Sequence, residues 1–207
     1  MLEKLILFVE EYSMEAALEI LLPEIIGDIE FQIIHFQCKD DLLKQLPARL
    51  KGYSSWLPEN WIILVLVDQD DDNCMALKMQ LESHAIASGF VTKTQTHSGQ
   101  RFQVINRIVI EELEAWYFGD WKAVQTAYPR VNTTIPKKAP FRDPDAIAGG
   151  TWEALERILK KAGYFSTGLR KLDLARQVAR HMTPERNLSH SFRMFFEALT
   201  TALAWEW

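Results

Sequence analysis

The chain has 207 residues, 48% of them hydrophobic and 25% charged, which suits one globular α/β domain with an appended subdomain. No apolar run reaches the roughly 18 residues of a membrane span. Met1-Leu2-Glu3-Lys4 is no signal-peptide start, and two distant cysteines, Cys38 and Cys74, argue against a disulfide framework or zinc site. The expected compartment is a reducing cytoplasm.

Leu5 to Val9 is a short apolar run bounded by charge, as in a strand buried on both faces. Ala17, Leu18, Leu21, Leu22 and Ile25 then fall at helical spacing, with Ser13 as the expected N-cap. Phe31 to Phe36 reads as a second strand. Asp40 or Asp41 is placed to cap a helix carrying Leu42, Leu43, Leu46 and Leu50, with Pro47 kinking it or near its start. Trp61 to Val67 is the strongest strand signal and belongs at the centre of a parallel sheet. A helix follows from Asn73 to about Ser88, with Gly89 as its C-cap. Phe90 to Thr96 and Phe102 to Ile110 read as two further strands around a Ser98-Gly99 turn. The order predicts a mostly parallel α/β sheet, mixed if that last pair forms a hairpin.

After Glu111 the pattern is helical, broken by a loop-rich stretch from Pro129 to Gly150. Helices are expected near Trp152 to Ala162, Leu169 to Met182 and Ser191 to Ala204. The expected organisation is an α/β domain over 1–120 and a basic helical subdomain over 121–207 packed on it. From Lys137 to Arg193 there are twelve Lys and Arg against six Asp and Glu; elsewhere there are eleven against twenty-two. This asymmetry suggests an acidic part that holds cations and a basic part that holds a polyanion.

The acids give the sharpest signal. Glu10 and Glu11 follow the first strand; Asp68, Asp70, Asp71 and Asp72 follow the third. If those strands are parallel, both groups emerge where open α/β sheets place their sites. Two carboxylates about 4 Å apart repel by roughly 4 kcal/mol at an effective dielectric near 20. Oxygen-seeking Mg²⁺ or Mn²⁺ would relieve that repulsion. Glu111, Glu112 and Glu114 suit a helix start, where the dipole favours acids, and one of them could complete a second metal site. The five histidines show no ligand spacing, and Trp116, Trp121, Trp152, Trp205 and Trp207 read as packing residues. No glycine-rich phosphate loop is present, so ATP hydrolysis by this chain is not expected.

Phe8-Val9-Glu10-Glu11-Tyr12-Ser13 followed by Leu66-Val67-Asp68-Gln69-Asp70 resembles the Toprim pattern, a glutamate after the first strand and DxD after a later one. Toprim is the catalytic domain shared by topoisomerases, primases and the nucleases of the overcoming-lysogenisation-defect group. Over nearly its whole length the chain more closely resembles the bacterial domain-of-unknown-function family 4276. That resemblance includes Glu111-Glu112-Leu113-Glu114-Ala115-Trp116, Arg142-Asp143-Pro144-Asp145-Ala146 and Gly149-Gly150-Thr151-Trp152-Glu153. It implies Glu10, Asp68 and Asp70 as catalytic residues. The implied metal set is Glu10, Asp68, Asp70, Asp72, Glu112 and Glu114, holding Mg²⁺ or Mn²⁺. The implied chemistry is phosphodiester hydrolysis in a phage-defence pair with an ATPase encoded nearby. Glu11 stands where most Toprim domains carry glycine, which speaks against topoisomerase or primase chemistry.

Lys137, Lys138, Arg142, Arg170 and Lys171 are the candidate contacts to nucleic acid, DNA before RNA, with a homodimer left open. The alternatives are a non-catalytic adaptor for the ATPase and a receiver-like phospho-acceptor, although a receiver's lysine is missing at Ile110-Glu111. A calcium loop fits Asp68, Asp70 and Asp72 but fails at Asn73 and Met79.

Overall fold

Four strands form one sheet in the computed structural model, which describes residues 1–96 and 100–204. They are β1 (Lys4–Val9), β2 (Glu30–His35), β3 (Trp61–Asp68) and β4 (Val104–Val109). The order is β2-β1-β3-β4 and every pairing is parallel. The chain leaves β1 for one edge and then crosses to the other, so a topological switch point lies between β1 and β3.

Strand alternation assigns each residue to one of two apolar layers. Leu5, Leu7 and Val9 of β1 point with Ile62, Leu64 and Leu66 of β3 into the larger layer. Ile6, Phe8, Ile63, Val65 and Val67 point into the smaller one. Helices α2 (Lys39–Tyr53) and α3 (Cys74–Ala87) cover the smaller layer with Leu42, Leu46, Leu50, Leu77 and Leu81. Helix α1 (Tyr12–Ile26) covers the other face. Both central strands are buried on two sides, which is why they read as unbroken apolar runs.

Five more helices extend the larger layer: α4 (Glu114–Gly119), α5 (Trp121–Ala127), α6 (Thr151–Lys161), α7 (Lys171–Ala179) and α8 (His190–Leu203). Helix α1 is the shared wall, packed against β2 on one side and α7 and α8 on the other. Trp116 is fully buried against Phe192 and Phe195, and its indole N–H donates to Ser191 Oγ at 3.1 Å. A buried aromatic of this kind contributes roughly 3 kcal/mol.

Several local expectations change. Phe90–Thr96 is not a strand: only Thr92 bridges to Val104, and that bridge is parallel, so no hairpin makes the sheet mixed. The reason is the cap before it. Phe90 N–H bonds back to Ala85 O, and Lys93–Gln95 turn at once, leaving no length for a ladder. The Ser98-Gly99 turn, His97, Trp205 and Trp207 lie outside the described residues. Ser13 lies inside α1; Glu11 takes the N-cap position, and the Ser13 hydroxyl donates to its carboxylate. Cys38, not Asp40 or Asp41, precedes α2, while Asp41 accepts from Gln37 N–H. Pro47 sits within α2.

A buried clamp ties the later helices together. Asp120 accepts two hydrogen bonds from the Arg186 guanidinium at 2.7 and 2.8 Å, one from Thr183 N–H and one from Ala123 N–H. Its carboxylate is almost wholly buried. Asp120→Ala is expected to destabilise the fold by about 2–3 kcal/mol, leaving orphaned donors behind. Denaturant unfolding would measure it, and an unchanged midpoint would show the clamp to be idle.

Candidate metal centre at the carboxyl edge of the sheet

The β1–β3 register pairs Val9 with Leu66, so the residues that trail each strand meet at one edge. Asp68 N–H donates to Glu10 Oε2 at 3.2 Å. The Asp68 side chain is only 5% exposed, and its Oδ1 has no hydrogen-bond partner among the described residues. The ladder to β4 runs on past the strand ends, through Gln69 N–H to Val109 O and Asp70 N–H to Glu111 O. That stitching holds two non-glycine residues in left-handed backbone, Asp70 at φ 48° and Glu111 at φ 60°. Aspartate tolerates this region; glutamate does so at a cost of roughly 1–2 kcal/mol.

Glu114, the first residue of α4, completes the group and is 2% exposed. Burial, with Asp70 adding, raises the Glu10 carboxyl to about 7. Burial also raises Glu114 to about 7, the charge of Lys171 opposing it. Asp68 is pushed well above the carboxylate range by burial and then by Glu10 and Glu114. Burial thus disfavours the charge of all three acids, and the charges of Glu10 and Glu114 both oppose that of Asp68. Fully buried Tyr117, one turn after Glu114, has an unpartnered hydroxyl and is likewise pushed up by burial and by Glu114, Glu11 and Asp68.

The model of a domain of unknown function, DUF4276, matches residues 9–200. The chain belongs to this family. No curated protein and no solved structure matches it. In this DUF4276 chain the matched span contains every carboxylate of the cluster.

Beside the cluster lies a crevice of about 380 Å³ lined by Asp70, Asp71, Glu111, Glu112, Gly149, Gly150 and Glu153. Gly150 has φ 86°, a left-handed backbone that favours glycine, and the nearest atoms to a Cβ there would be the movable carboxylate end of Glu153. A larger hollow of about 750 Å³ lies between α6 and α7 around Tyr128, Tyr164 and Arg170. None of the candidate ligands lines it, whereas Asp70 and Glu112 line the smaller crevice, so chemistry favours the smaller one.

The remaining candidates are distributed unevenly. Glu112 Oε2 accepts from Trp152 N–H and Thr151 Oγ1 at the start of α6, so half of its carboxylate is a helix cap. Asp72 and Asp70 both pair with Lys39 at 2.7 Å. Lys171 Nζ lies over the Trp152 ring and 3.9 Å from both Glu11 and Glu112, at the border of the cluster. Arg170 pairs with Asp173 and lines the larger hollow. Lys137, Lys138 and Arg142 are exposed, and among the described residues no hydrogen bond or ion pair joins them to the carboxylates.

Among the described residues, no three His, Cys, Asp or Glu side chains already stand at metal-ligating separations. The donors nevertheless fit a hard divalent cation: they are oxygens, they repel one another, and Asp68 Oδ1 is dry and unsatisfied. Lys39 and Tyr117 escaped the sequence reading. A lysine in the first turn of α2 opposes the helix dipole, and that is the one signal by which Lys39 could have been found.

Proposed function

We propose that this DUF4276 chain is a Toprim-like, Mg²⁺- or Mn²⁺-dependent phosphodiesterase acting on nucleic acid, working beside an ATPase partner. The observation that carries this is Asp68: a buried carboxylate with one unpartnered oxygen at the end of a central strand, next to Glu10 and Glu114. Such an arrangement is unfavourable by several kcal/mol unless a cation or protons answer it. The partner and the phage-defence setting rest on the family resemblance alone.

Glu10, Asp68 and Asp70 would hold the metal, with Glu114 behind them. When bound, the metal would supply a nucleophile from water at neutral pH and neutralise charge on the phosphate. Without metal, burial raises Glu10 to about 7, so a bound cation would hold it charged at neutral pH. Lys171, steadied by Trp152, is the cation best placed to draw in a phosphate oxygen. The carboxylates by themselves repel a polyanion, so binding without metal should be weak, and the part supplied by the basic side chains should fall steeply with salt.

The test is incubation of the full chain with supercoiled plasmid, linear DNA and RNA in Mn²⁺ or Mg²⁺. Cleavage is expected with metal, and its loss in Glu10→Gln and Asp70→Asn. Silence in every condition, while an ATPase partner still binds, would replace the hydrolase with a non-catalytic adaptor.

A further inference from the structure

The ammonium of Lys39 occupies a shell of four oxygens. Asp70 Oδ2 and Asp72 Oδ2 lie at 2.7 Å, Gln69 O at 3.0 Å and Asp68 O at 3.2 Å. An ammonium has three protons, so the acceptors outnumber the donors. The side chain is only 13% exposed although it starts from the first turn of a helix whose dipole repels it. Two carboxylates with two backbone carbonyls form a hard-cation donor set of the kind calcium and manganese sites use. The dry and unpartnered Oδ1 belongs to the same Asp68 whose carbonyl meets the ammonium.

We infer that Lys39 is a tethered occupant of a divalent-cation position formed by Asp70, Asp72 and the carbonyls of Asp68 and Gln69, and that a divalent cation enters by displacing it. This deepens the metal reading above by adding a second position and a built-in competitor. The exchange is mechanically open. Asp70 and Asp72 are 42% and 53% exposed, so their carboxylates are free to close on a cation, while the carbonyls at 3.0 and 3.2 Å approach it by up to about 1 Å. The charge of Lys39 also reaches Glu10, and a divalent cation in its place supplies one more positive charge to that edge.

The experiment is Mn²⁺ titration of the full chain by calorimetry. Lys39→Gln is expected to gain or tighten one Mn²⁺ site by at least about tenfold, a difference of about 1.4 kcal/mol. Lys39→Arg, which keeps the charge, should resemble the wild type, and adding Asp72→Asn to Lys39→Gln should remove the gain. In a Glu10→Gln, Asp68→Asn background, which keeps both carbonyls, the gain should persist. Equal or weaker binding by Lys39→Gln overturns the inference, while the hydrolase reading stands if Mn²⁺ binding still needs Glu10 and Asp68. A gain without any hydrolysis supports the inference and sinks the hydrolase. Should Lys39→Gln fail to fold, acetylation of wild-type lysines read by mass spectrometry decides. Lys39 should turn at least about fivefold more reactive in Mn²⁺, and unchanged reactivity overturns the displacement.

Discussion

Asp68→Asn is expected to abolish metal-dependent hydrolysis while raising the thermal stability of the metal-free protein. The carboxylate it replaces is buried, has an oxygen without a partner and faces the charges of Glu10 and Glu114. Removing a buried charge that nothing compensates relieves roughly 1–3 kcal/mol. For a chain of this size that is a rise in midpoint of about 2–12 °C. The new amide also gains acceptors in the carboxylates beside it. Catalysis should fall at least about 10³-fold, equal to about 4 kcal/mol of barrier, because the ligand nearest the sheet is lost. The paired measurement is a melt in chelator and a plasmid-cleavage assay in Mn²⁺. A less stable variant that still cleaves would mean that Asp68 is structural.

The metal-free protein is expected to lose stability as pH rises from 5 to 8, the reverse of ordinary carboxylate behaviour. Glu114 sits at about 7 in the fold against an unfolded value near 4.5. Between those values the folded state keeps a proton that the unfolded state has released, so stability is full below about 4.5 and falls up to about 7. Glu114 alone accounts for about 3 kcal/mol at 1.36 kcal/mol per pH unit. Glu10 and Asp68, also raised, act with the same sign. Millimolar Mn²⁺ should flatten the curve by answering the charge that burial disfavours, and Glu114→Gln should remove its own share. Denaturant titrations at several pH values in chelator would check this. A curve that is flat or rising with pH, or a slope untouched by Glu114→Gln, would show that these acids are not held against one another.

Stability and chemistry are opposed at this edge of the sheet. Left-handed backbone at Asp70 and Glu111, and three acids raised by burial, all sit within a few residues of the β1, β3 and β4 ends. By contrast, Asp120 has a full set of donors and is bound into the fold. Both are buried aspartates at the ends of regular elements. Hydrogen-bond satisfaction is what separates a structural carboxylate from one arranged to act.

The local pattern of the sequence determined the four strands, the helices between them and the pairing of Glu10 with the Asp68–Asp70 loop. Unbroken apolar runs such as Trp61–Val67 form only where a strand is covered on both faces, and that implies parallel neighbours with trailing residues at one edge. Phe90–Thr96 was misread because a helix cap and a turn at either side leave one bridging residue, a limit of length rather than of propensity. The division of labour among the acids was decided by tertiary structure alone. Whether a carboxylate caps a helix like Glu112, pairs with an ammonium like Asp72, or is left dry like Asp68 depends on partners far along the chain. Lys39 meets Asp70 across 31 residues and Lys171 approaches Glu11 from the other end of the molecule. No local pattern encodes such meetings, because they follow from how helices pack around a sheet and not from the spacing of residues within either.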